Sequence, residues 1–205
     1  MKIVFASWNS KKAEEIQHMA PKGIEIVCLK DIPEAAGIPQ VEESGSTFLE
    51  NALIKADYWA AKLKMPVLAE DSGICISALN GYPGIYTKRC IEQLCPGSNV
   101  NTDNPDELYP LLLKLMAESG NVSTEAYWFS SIALVYGNIE LKAEEKVKGN
   151  MCERAGERVF GFDQYFKPKG YNRTLAEMTL DEKEHVSPRF DAFCKIMAQF
   201  FKLHC

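Results

Sequence analysis

The residues best suited to chemistry lie in MPVLAEDSGICISALNGYPG, residues 65–84, where an apolar run leads into Glu70 and Asp71 side by side and then Ser72-Gly73. Adjacent carboxylates repel and are costly to desolvate, so near a core they stay charged only beside a cation or several hydrogen-bond donors. Positive charge is therefore expected around them. Glu43, in VEESGSTFLEN, precedes a segment carrying Lys55. If its loop folds over the strand end, Glu43 reaches Asp71 and the two offer the oxygen ligands that Mg²⁺ takes, with room left for waters and phosphates. Solvated loop acids plus one helix-capping Asp would give the same pattern without a metal.

Two further stretches carry candidate chemistry. In SWNSKKAEE, residues 7–15, Lys11 and Lys12 fall in the opening turn of an expected helix. Free amides at a helix start favour anions, so the lysines are either phosphate ligands or ordinary surface charges. In ERVFGFDQYFKPKGYNRTLAEMTLDEKEHVSPRF, residues 157–190, Phe160, Phe162, Tyr165 and Phe166 precede Lys183 and Arg189. Aromatic faces can stack on a nucleobase while Lys and Arg take phosphate or a base carbonyl, although most aromatics pack in cores.

The elements that must position these groups follow from periodicity. KIVFA, residues 2–6, reads as a first strand, with Asn9 or Ser10 capping the helix that follows, and IEIVCL, residues 24–29, as another strand. Asp31 to Gly45 reads as loop. In STFLENALIKADYWAAKLK, Thr47 and Glu50 form an expected capping box, and Phe48, Ala52, Ala56, Trp59 and Leu63 recur at core-facing helical spacing. Thr47, Asn51 and Lys55 make a second stripe, bringing a hydroxyl, an amide and an ammonium to one face. PVLA and ICISAL are expected as two short strands bracketing the acidic pair, with NGYPG as a turn. Leu108, Leu111, Leu112, Leu115 and Met116 mark a helix in which Pro110 sets the start or a kink. Gly137-Asn138 signals a hairpin. A last helix should start with Ser187 as cap and Pro188 in its first turn, turning Phe190, Phe193, Met197 and Phe200 inward.

Bulk properties narrow the function classes. The chain has 205 residues, 46% hydrophobic and 25% charged, which suits one globular α/β unit or two closely joined lobes. A formal charge of -5 argues against an extended nucleic-acid or anionic-membrane surface. The opening apolar run is too short for a signal-peptide core, and no later run is long enough to span a bilayer. Seven cysteines without paired CxxC spacing fit reduced thiols, and hence a cytoplasmic protein, better than disulfides or a zinc site.

Taken together, ASWNSKKAEEI, EESGSTFLENALIKA, LAEDSGICISALNGYPGIYTKR, FGFDQYF and TLAEMTLDEKEHVSPR resemble, in order and spacing, the inosine triphosphate pyrophosphatase family. The match runs from near Met1 to about Phe193. The resemblance implies a single domain over residues 1–205 with an elongated mixed-sheet α/β fold, two lobes around a central nucleotide cleft. It also implies a homodimer that uses Mg²⁺ to split noncanonical purine nucleoside triphosphates into monophosphate and pyrophosphate. Carried over position by position, it implies Glu43 and Asp71 as metal ligands, Asp71, Glu70 and Lys55 as catalytic, and Ser7, Asn9, Lys12, Thr47, Asn51, Lys55 and Ser72 around the phosphates. Phe160, Phe162, Asp163, Lys183, Ser187 and Arg189 are implied at the base, and Glu50 lies near the phosphate group of residues.

Three departures from the family pattern fall at ligand positions. Trp8 stands where a small Gly is usual, Val159 and Gln164 replace a Gly and a Pro, and Pro188 replaces the His of a Ser-His-Arg run. Pro188 suits a first helical turn but supplies no imidazole hydrogen bond. Loss of one buried donor at a base edge can shift preference substantially. The alternatives to the leading reading are accordingly the same pyrophosphatase chemistry with altered base specificity, or a nucleotide-binding module with reduced catalysis.

Overall fold

The computed structural model describes residues 1–87, 104–157 and 161–203. It is a mixed α/β protein, as the sequence suggests, built on a six-stranded sheet of order β2-β1-β3-β4-β5-β6. The strands are β1 (Lys2–Phe5), β2 (Glu25–Cys28), β3 (Val67–Ile76), β4 (Glu125–Tyr136), β5 (Ile139–Met151) and β6 (Phe166–Pro168). The helices are α1 (Ser10–Met19), α2 (Phe48–Leu63), α3 (Pro105–Glu118), α4 (Leu180–Glu184) and α5 (Pro188–Lys202). β1 runs parallel to both β2 and β3, and β5 antiparallel to β6.

The chain divides into two compact units, and the division falls within β3, β4 and β5. The first unit takes Met1–Ser72, Ser130–Glu145 and the chain from Pro188 onward. Strand alternation separates its two apolar layers. Ile3, Phe5, Leu68, Ile132 and Leu134 pack with α1 and α5, whereas Val4, Val67, Ala69, Ala133 and Val135 pack with Ala52, Ala56 and Trp59 of α2. The second unit takes Gly73–Phe129 and Lys146–Ser187, where Leu108, Leu112 and Met116 of α3 join Ile74, Trp128, Phe162 and Phe166 in one core.

Several local expectations need correction. The acidic pair does not lie between two strands: β3 is one continuous strand, and Glu70 and Asp71 are mid-strand residues. Glu70 is buried and Asp71 half-buried, and each finds partners, described below. Thr47 caps α2 by accepting from the Glu50 amide at 3.1 Å, and the Glu50 carboxylate turns mainly to Ser46, its Oε2 accepting from that residue's backbone and hydroxyl at 2.7 and 2.6 Å, with the Thr47 backbone a lesser partner. The start of α3 is set by Asn104 as cap and Pro105 at its first position, with Pro110 inside the helix. Leu63 and Phe190 are only half-buried, whereas α5 also buries Ala192 and Ile196. A short helix, α4, capped by a Thr179–Glu182 box, went unnoticed in the sequence because it is too short to show periodicity.

Candidate active site

The continuous strand explains how two neighbouring acids coexist. Successive side chains of a strand point to opposite faces, so Glu70 joins the α1/α5 face with Leu68, and Asp71 joins the α2 face with Val67 and Ala69. Each then has its own set of partners.

Glu70 is 4% exposed. Its Oε1 accepts from the Ser130 hydroxyl at 2.8 Å and Arg189 Nε at 2.9 Å, while Lys12 Nζ lies 3.1 Å from Oε2. That Oε2 makes no well-directed hydrogen bond, so the lysine serves it as a charge rather than an aligned donor. Burial pushes the carboxyl upward, but Arg189 and Lys12, with the Arg189 and Ser130 hydrogen bonds, outweigh it and hold Glu70 well below the usual carboxylate range. Arg189 Nη1 is also paired with Glu15, and Lys12 Nζ bonds the Ser72 hydroxyl at 3.1 Å.

Asp71 has a different balance. Asn51 Nδ2 donates to Oδ2 at 3.1 Å, and Lys55 Nζ sits 3.6 Å from Oδ1 while donating to Glu43 Oε1 at 2.9 Å. Burial raises the Asp71 carboxyl, Lys55 and Asn51 pull it down and Glu43 adds to the rise, leaving it above its ordinary value. Carboxylate oxygens are hard donors of the kind a divalent cation with oxygen preference takes, and Glu43 and Asp71, which share Lys55, are the pair here that would hold one.

Gly45 delivers the Glu43 loop. Its amide donates to Asn51 Oδ1 at 2.8 Å, and an added Cβ would lie 2.7 Å from that oxygen and 2.9 Å from the Asn51 amide nitrogen. Only a residue without a side chain lets the loop approach α2 so closely. Asn51 therefore fixes the loop with one end of its amide and Asp71 with the other. Of the expected stripe on α2, Asn51 and Lys55 point at the acids, whereas Thr47 is exposed and spends its hydroxyl on the cap.

At the head of α1, the Asn9 side chain accepts from the Lys11 and Lys12 amides at 3.0 and 3.3 Å, and Ser7 Oγ accepts from the Asn9 amide at 3.1 Å. The loop is self-capped, so the first-turn amides are occupied by Asn9 and Lys12 is the group turned toward Glu70 and Ser72. Trp8, between them, is 41% exposed and meets Trp59 edge-on with centroids 6.3 Å apart.

The residues implied at the base fall in the second unit, except Arg189. Lys183 Nζ donates to Asp163 at 2.5 Å, both side chains buried, and Phe162 packs edge-on against Trp128 at 6.4 Å. Gly161, at φ +51°, would bring a Cβ to 3.3 Å from the Trp128 ring. The Gln164 amide donates to the Gly156 carbonyl at 2.7 Å, and Ser187 is buried. Phe160 and Val159 lie outside the described residues. Arg189, in α5, pairs with Glu70 and Glu15 in the first unit. Sequence reasoning missed Glu15 and Ser130. Glu15 follows Lys12 by one helical step on α1, and Ser130 begins a Ser-Ser pair inside an apolar strand, a pattern that itself signals a buried polar partner.

A sheet with an acid–lysine cluster on both faces of one strand defines a class of α/β protein with a charged centre. The Ham1 family model matches residues 3–199, and the chain belongs to the Ham1 family. It is 36% identical over 200 residues to the dITP/XTP pyrophosphatase of Aquifex aeolicus (strain VF5), covering 96% of this chain and 95% of that one. A HAM1 protein structure from Coxiella burnetii superposes with a TM-score of 0.83 at 30% identity, covering 98% of this chain and 99% of the other. The nucleoside-triphosphatase / dITP/XTP pyrophosphatase structure from Mycobacterium abscessus does so with a TM-score of 0.67 at 34% identity, over 93% and 96% of the two chains. The family read from the motifs is therefore the right one.

Proposed function

We propose that this chain hydrolyses noncanonical purine nucleoside triphosphates (ITP, dITP and XTP) to the monophosphate and pyrophosphate, removing them from the nucleotide pool. The observation that carries the reading is the geometry of Asp71, a half-buried carboxylate held by Asn51 with Lys55 shared between it and Glu43. Family membership and the names of the relatives support it. Asp71 accepts the proton of a water that attacks the α-phosphorus; the α–β anhydride bond breaks and pyrophosphate leaves. Lys12 and Lys55 neutralise phosphate oxygens, with Ser7, Asn9, Thr47, Asn51 and Ser72 around the phosphate chain. Glu70, held ionised by Arg189, keeps Lys12 in place. Glu43 and Asp71 are assigned to Mg²⁺, which when bound polarises the phosphates and stabilises the leaving pyrophosphate.

Phe162, Asp163, Lys183, Ser187 and Arg189, with Phe160, are assigned to the base. A second reading, the same chemistry with altered base specificity, is favoured by a particular observation: Pro188 fills the first turn of α5 and has no side-chain donor to offer a base edge. Residues 1–205 are taken as one catalytic domain acting as a cytoplasmic homodimer, without nucleic-acid or membrane partners; among the described residues no helix is long and apolar enough to cross a membrane. Product analysis with Mg²⁺ across deaminated and ordinary nucleoside triphosphates tests the function. Monophosphate plus pyrophosphate from dITP or XTP supports it, selective turnover of another base moves the argument to the second reading, and binding without turnover contradicts both.

A further inference from the structure

We infer that Ser130 is a positioning residue for Lys12: by donating to Glu70 Oε1 it turns the other carboxylate oxygen toward the ammonium that meets the substrate's phosphates. This rests on the proposed pyrophosphatase reading. Three observations carry it. Ser130 is wholly buried in β4, on the face whose next members, Ile132 and Leu134, belong to the core. A hydroxyl in such a layer is costly to bury unless it is bonded, and its bond goes to Glu70 Oε1 at 2.8 Å. Ser130 is therefore accounted for by the acid rather than by packing.

The second observation is how the donors divide over the carboxylate. Ser130 Oγ and Arg189 Nε both reach Oε1, at 2.8 and 2.9 Å, whereas Lys12 Nζ lies 3.1 Å from Oε2 and 3.1 Å from the Ser72 hydroxyl. Two donors from different elements, β4 and α5, thus converge on one oxygen and set the rotation of the carboxylate, which leaves the second oxygen facing α1. The third observation is the exposure across the cluster. The Glu70 and Arg189 side chains are 0% and 4% exposed, but that of Lys12 is 17% exposed. The buried members form a support, and the ammonium is the part that a phosphate can reach. A lysine ammonium is a point charge on a flexible stem, and charge stabilisation is most effective when the charge is placed before the substrate arrives. Without the Ser130 hydroxyl, Oε1 keeps the Arg189 bond, the carboxylate is freer to turn, and Lys12 loses a fixed counter-charge.

The test is a double-mutant cycle on dITP hydrolysis with Mg²⁺ in the full chain, combining Ser130→Ala with Lys12→Gln, with Ser130→Thr as the variant that keeps the hydroxyl and thermal unfolding of every protein alongside. Ser130→Ala should raise KM and lower kcat/KM about tenfold in the wild-type background with a much smaller change in kcat. In the Lys12→Gln background the same substitution should change kcat/KM by no more than about twofold, because a residue that acts through Lys12 then has nothing left to position. Ser130→Thr should recover most of the wild-type KM. If Ser130→Ala does not fold, Ser130→Cys, close in shape and a weaker donor, takes its place in the cycle; if Lys12→Gln turns over too slowly, the cycle is read on the affinity for inorganic pyrophosphate with Mg²⁺ by calorimetry. An equal loss in both backgrounds, or wild-type kinetics in Ser130→Ala, overturns the inference while leaving the proposed function standing. Failure of wild type to turn over any triphosphate removes both.

Discussion

At the residue scale, the two adjacent acids have opposite tasks because a strand sends them to opposite faces. Glu70 is held ionised by Arg189, Lys12 and the Ser130 hydroxyl, with Oε2 facing Lys12 as a charge. Replacing it by Gln leaves Arg189 and Lys12 without their shared counter-charge, and breaking such a buried pair costs about 3 kcal/mol. Thermal or denaturant unfolding of Glu70→Gln should show that loss at neutral pH. The pH dependence has a definite sign. Because the folded-state carboxyl is held below its ordinary value of 4.5, the stabilisation is fully present above that pH and disappears as pH falls toward the depressed value. The gap between wild type and Glu70→Gln should therefore narrow below pH 4.5, and a gap that widens in acid would contradict the assignment.

At the element scale, α2 and the loop before it work as one clamp, with Asn51 gripping Gly45 on one side and Asp71 on the other. Gly45→Ala should displace the loop, and with it Glu43, lowering kcat/KM for dITP about tenfold or more while unfolding cooperatively; wild-type kinetics in that variant would show that the close approach is dispensable. Much of this element was legible in the sequence. Thr47 as cap, the buried row from Phe48 to Trp59 and the polar stripe of Asn51 and Lys55 all follow from spacing. The continuity of β3 was not, because rules of patterning treat a Glu-Asp-Ser-Gly run as a strand terminator. Partners contributed by α1, β4 and α5, distant in sequence, reverse that preference.

At the scale of the whole molecule, the sequence conveys the mixed α/β class and the family because its motifs are spread over nearly all the chain. It could not convey that Arg189 packs with the acidic strand, since a separation of 119 residues leaves no periodic trace. In the second unit, burial of Tyr109 and its hydrogen bond to the Cys152 carbonyl at 2.8 Å accompany a phenol pushed up to about 12. An ordinary tyrosine, near 10, ionises first in the unfolded chain, so this group's contribution to stability is kept below pH 10 and lost as pH rises toward 12. Ultraviolet titration of wild type against Tyr109→Phe should assign one tyrosinate transition near pH 12 to this residue; a normal transition would place the ring in water. Homodimerisation is checked by sedimentation equilibrium, with a monomer at all concentrations contradicting it. The most direct test of the central claim is hydrolysis of dITP in heavy-oxygen water by wild type and Asp71→Asn. The account predicts heavy oxygen in the monophosphate, unlabelled pyrophosphate, and almost no turnover by a folded Asp71→Asn; label in the pyrophosphate, release of orthophosphate, or a near-normal rate in the variant would contradict it.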